Sequence, residues 1–105
     1  MRVALVADFD TAIGFKLAGL KEVYAVTDGR QAEEVINKLT KNAEIGIIII
    51  TESLANQIRQ YIKEKLYERL IPIIVEIPDK KWAPTAMEFI KDIVKRTIGI
   101  ELLIG

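Results

Sequence analysis

The sequence predicts an α/β protein: a doubly wound, four-stranded parallel sheet of spatial order 2-1-3-4, followed by a C-terminal helical tail. Three observations lead there. The stretch Glu44 to Glu52 (EIGIIIITE) holds an unbroken β-branched run from Ile47 to Thr51, too short for a buried helix and too continuous for a strand with one wet face. Such a strand must be covered on both sides, as in a parallel sheet flanked by helices. Apolar strand-like runs and helix-period segments then alternate as βαβαβαβ, and right-handed crossovers between parallel strands leave the doubly wound order as the simplest arrangement. Finally, the fourth strand, Pro72 to Ile77, is bounded by Pro72 and Pro78. Proline has no amide to give to a central ladder, which places this strand at the edge.

In chain order, Arg2 to Ala7 (RVALVA) forms strand one and runs into Asp8-Phe9-Asp10-Thr11, where Asp10 or Thr11 can cap a helix. Helix one covers Ala12 to Leu20. Ile13, Leu17 and Leu20 share its apolar face, the pair Gly14 and Ala18 lets it lie close to the sheet, and Gly19 supplies the stop. Strand two is Glu22 to Val26. Asp28 and Gln31 resemble a capping box for helix two, whose Ala32, Val35, Ile36 and Leu39 recur at helical spacing with Arg30, Glu33, Glu34 and Lys38 outside. Strand three is the isoleucine run. Ser53 is the expected cap of helix three, which buries Leu54, Ile58, Tyr61, Ile62, Leu66 and Leu70 against Arg59, Lys63, Glu64 and Glu68. Glu76 lies in the edge strand among apolar neighbours and is expected to face solvent, where a charge discourages edge-to-edge association.

Beyond Pro78 the character changes. Asp79 to Pro84 (DKKWAP) reads as a linker, and Thr85 with Glu88 forms a T-x-x-E capping box around which Met87, Phe89, Ile90, Ile93, Val94 and Ile98 follow. The chain therefore divides into an α/β domain over residues 1–78 and a linker with a C-terminal amphipathic helix over 79–105. The apolar positions of that helix wrap around more of its circumference than one face laid on a small sheet can bury, so part of it is expected to meet a partner helix. Trp82 is either a surface aromatic or part of the same interface. The partner-binding candidates are Trp82, Met87, Phe89, Ile90, Ile93, Val94 and Ile98.

Composition narrows the chemistry. A chain of 105 residues has room for one core. Lysine plus arginine and aspartate plus glutamate both number 15, and without a basic excess nothing favours nucleic acid or an anionic membrane. Cysteine and histidine are both missing, which removes thiolate nucleophiles, disulfides and the commonest general base and metal ligand. No apolar segment reaches the ~18–20 residues of a membrane span, and the N-terminus begins on a strand rather than a leader, so the chain reads as cytoplasmic and soluble. Heavy isoleucine use with few Asn or Gln hints at a thermophilic source.

In a doubly wound sheet the ligand crevice lies off the carboxyl ends of strands one and three. There the sequence puts Asp8, Asp10, Thr11, Thr51, Glu52 and Ser53, an acidic set, and no G-x-G-x-x-G turn or G-x-x-x-x-G-K-[ST] loop accompanies it. A receiver-like signalling domain holding a divalent cation through Asp8 and Asp10 is the alternative. It would need an aspartate at the end of strand three, where Thr51 and Glu52 stand, and a lysine after a fifth strand that is missing. No catalytic, cofactor-binding or metal-binding residue is assigned.

The segments DTAIGFKLAG (Asp10 to Gly19), ITESLA (Ile50 to Ala55) and PIIVEIP (Pro72 to Pro78) resemble the F subunit of V-type and archaeal A-type ATP synthases, in order and spacing over nearly the whole chain. The resemblance implies a small Rossmann-like domain with a C-terminal helical tail and no active site or cofactor. It implies a place in the central rotating stalk beside the long coiled-coil D subunit, in a complex peripheral to the membrane. It further implies that the tail engages the stalk, reaches the catalytic-head A and B subunits transiently, and modulates ATP hydrolysis. Asp10, Gly14 and Gly19 would be structural.

Overall fold

The computed structural model describes residues 2–66 and 69–79. The linker beyond Asp79, the expected tail helix and all seven partner-binding candidates lie outside the described residues. Four strands and four helices follow in the order β1 (Arg2–Ala7), α1 (Phe9–Leu17), β2 (Glu22–Ala25), α2 (Gly29–Leu39), β3 (Ile45–Thr51), α3 (Glu52–Gln57), α4 (Arg59–Lys65) and β4 (Ile73–Ile77). The strands form one parallel sheet of order β2-β1-β3-β4. The isoleucine run is its inner strand: Leu5 stands opposite Ile49, and Ile49 opposite Val75. Ile48, Ile49 and Ile50 are all buried, each contributing roughly 1.5–3 kcal/mol of transfer free energy.

The handedness of the crossovers decides which face each helix covers. From β1 the chain steps outward to β2, whereas from β2 to β3 and on to β4 it steps the other way, so α1 lies on one face and α2, α3 and α4 on the other. Alternate residues of the strands accordingly supply two cores. Ala4, Val6, Ile48 and Ile50 pack with Ala32, Ile36, Leu54, Ile58 and Ile62. Val3, Leu5, Ala7, Ile49 and Ile77 pack with Ala12, Phe15 and Leu20. Helix α1 rests on β1 and β2. Over β4 that same face is open among the described residues, and Ile73 and Val75, which alternate with the inward Ile74, are exposed.

Helix α2 keeps the predicted face and start. Asp28 accepts from the Gln31 amide at 2.9 Å, and Gln31 Oε1 accepts from the Thr27 amide at 2.9 Å. Gly29 is needed for a close approach: a Cβ there would come within 2.8 Å of Gln57 Cβ, and the Gly29 amide donates to Gln57 Oε1 at 2.7 Å. The end of α1 is closed by Gly19 at φ 108°, where the Gly19 amide donates to the Lys16 carbonyl and the Leu20 amide to the Phe15 carbonyl, each at 3.1 Å.

Three expectations are corrected. Helix α1 runs from Phe9 to Leu17, and its buried residues are Thr11, Ala12 and Phe15, while Ile13, Gly14 and Leu17 face outward. The inward side is the one that rests on β1 and β2, where Ala12 and Phe15 pack with Leu5, Ala7 and Leu20. The third helical segment is two helices meeting at Ile58 (φ −117°, ψ 25°), although its stripe of Leu54, Ile58, Ile62 and Leu66 stays buried across the junction. Leu70 is not part of that stripe and is 93% exposed.

Candidate functional site

At the carboxyl ends of β1 and β3, three of the crevice residues, Asp8, Thr11 and Ser53, are engaged in hydrogen bonds that hold the fold. Asp8, not Asp10 or Thr11, caps α1: its carboxylate accepts from the Thr11 amide at 3.3 Å and from Thr11 Oγ1 at 2.7 Å. Thr51 ends β3 and begins α3, and its buried hydroxyl has no hydrogen-bond partner among the described residues. Ser53 does not cap α3. Its hydroxyl instead donates to Asp79 Oδ1 at 2.7 Å, reaching across to the residue just beyond β4. Among the described residues no cluster of three or more carboxylates is assembled that could hold a metal ion. The receiver-like arrangement asks for an acceptor carboxylate at the end of β3, and the buried Thr51 holds that place.

A second group fixes β4 from the same side. Arg59 of α4 donates from both terminal nitrogens to the two oxygens of Glu76, one bond being 2.9 Å, and Nη2 also donates to Asn56 Oδ1 at 2.7 Å. Hydrogen bonds from Arg59 hold the Glu76 carboxyl below its ordinary pKa, against a smaller opposing effect of burial. Glu76 therefore lies at the exposed edge as expected but is paired there. Together, Arg59 with Glu76 and Ser53 with Asp79 tie the last strand and the two residues after it to the helices behind it.

The described body also presents apolar surface. Exposed large apolar side chains fall in two places: Phe9, Ile13 and Leu17 along the outer side of α1, and Leu70, Ile71, Ile73 and Val75 on and before β4. The sequence reading grouped Ile13 and Leu17 with Leu20 on one face, but spacing alone does not say which side of the helix is inside. Helix α1 has two candidate stripes, and the larger side chains form the outer one.

Comparison with known proteins places these features in context. A family model described as "ATP synthase (F/14-kDa) subunit" matches residues 3–97. The A-type ATP synthase F subunit of Methanothermobacter thermautotrophicus is 39% identical over 103 residues, covering 96% of this chain and 95% of that protein. Its counterpart of the same description in Methanocaldococcus jannaschii is 39% identical over 102 residues, covering 97% and 99%. That of Thermococcus onnurineus is 41% identical over 106 residues, covering 97% and 98%. Among solved structures, the V-type ATP synthase F subunit of Archaeoglobus fulgidus superposes with a TM-score of 0.58 at 28% identity, covering 72% of this chain and 95% of that one.

Proposed function

The chain belongs to the family of ATP synthase (F/14-kDa) subunits, and on that premise we propose that it is a central-stalk component of an A-type or V-type proton- or sodium-translocating ATP synthase, coupling rotation and modulating ATP hydrolysis. It is an accessory subunit and not an enzyme in its own right. The observation that carries the reading is the extent of the match, which runs to residue 97 and so takes in most of the C-terminal segment with the body. The crevice is consistent with it, since Asp8 and Thr11 are bonded to each other and Ser53 to Asp79.

In this reading the long coiled-coil D-type subunit is the permanent partner. The segment carrying Trp82, Met87, Phe89, Ile90, Ile93, Val94 and Ile98 contacts the stalk and, transiently, the A and B subunits of the head. The location follows from the assembly: among the described residues no helix is long and apolar enough to cross a membrane, so attachment to the cytoplasmic side of the membrane would come through the complex.

Co-expression with the coiled-coil subunit and the catalytic head tests this. The chain should co-purify with the coiled coil, and Phe89→Asp with Ile93→Asp should change the ATP hydrolysis rate of the assembled complex. A chain that passes unretained over the immobilised coiled coil would overturn the stalk assignment.

A further inference from the structure

We draw no further inference here: the strongest candidate, the buried hydroxyl of Thr51 in the crevice at the carboxyl end of β3, carries nothing, because its crevice neighbours Asp8 and Ser53 are bonded within the fold and no group of metal-ligating side chains is assembled among the described residues, so nothing in the structure shows what ligand it would meet.

Discussion

At the end of β1 two carboxylates lie two residues apart, and their positions relative to the first helical turn separate their roles. Asp8 keeps an extended backbone (φ −65°, ψ 165°) and turns its carboxylate onto Thr11, whereas Asp10 is already inside the first turn. Replacing Asp8 by alanine should cost about 1 kcal/mol, the usual cost of losing an N-cap. Asp10→Ala should cost about 0.3 kcal/mol, from the loss of a negative charge near a helix N-terminus. Urea midpoints of the two variants give the comparison, and equal shifts would mean that Asp8 is not the working cap. Glu76 gives a prediction in pH. Its folded pKa is depressed, chiefly by the hydrogen bonds from Arg59, so the stabilisation is complete above the unfolded value of about 4.3 and is lost as pH falls through the lower folded value. The pair is about one-third exposed on each side, and solvent screening limits its worth to at most about 1 kcal/mol. Glu76→Gln should therefore lower stability slightly at pH 7 and flatten the part of the acid-side decline that begins below about pH 4.5; an unchanged acid limb in pH-dependent unfolding would show that the pair contributes nothing.

Among the elements, β3 carries the largest single-site dependence. Ile48 packs into one core and Ile49 into the other, so Ile48→Ala and Ile49→Ala should each cost about 2–5 kcal/mol in chemical denaturation, on opposite sides of the same strand. A loss of surface-mutation size at either position would mean that its side of the sheet can collapse around the missing volume. That both faces are covered was legible from the sequence, because an uninterrupted β-branched run has no other stable environment. The edge position of β4 was legible from its prolines, and α2 from a single well-separated apolar stripe. Helix α1 was not. Its sequence offers two stripes, and the start of the helix right after Asp8 turns Thr11, Ala12 and Phe15 inward and leaves Ile13 and Leu17 outside. Ser53 was misread for a different reason: its partner, Asp79, belongs to the exit from β4, and a local capping pattern cannot see a hydroxyl taken by a residue so far along the chain. Leu70 shows the limit of apolarity as a guide to burial, since it prolongs the helical period but lies past the end of α4.

On the scale of the whole chain, the two cores as formed by the described residues are built from side chains that precede Pro78, with Ile77 as the last buried apolar residue among them. The proposed division at residues 78 and 79 acquires a refinement from the structure: Asp79 belongs with the body, because its carboxylate accepts the Ser53 hydroxyl. A chain cut after Asp79 should therefore unfold cooperatively, with a melting temperature close to that of the full chain, whereas a cut after Pro78 should lower it by a few degrees, the effect of losing a hydrogen bond worth about 1 kcal/mol. Function should divide differently. The 1–79 chain should bind the coiled-coil partner more weakly than the full chain, because residues 80–105 no longer contribute, and should no longer alter ATP hydrolysis by the assembled complex. An aggregated or non-cooperative 1–79 chain would show that the C-terminal segment completes the core over β4, where Ile73 and Val75 are exposed. Undiminished binding would place the whole stalk interface on the body, and hydrolysis modulated as before would remove the regulatory role from the segment.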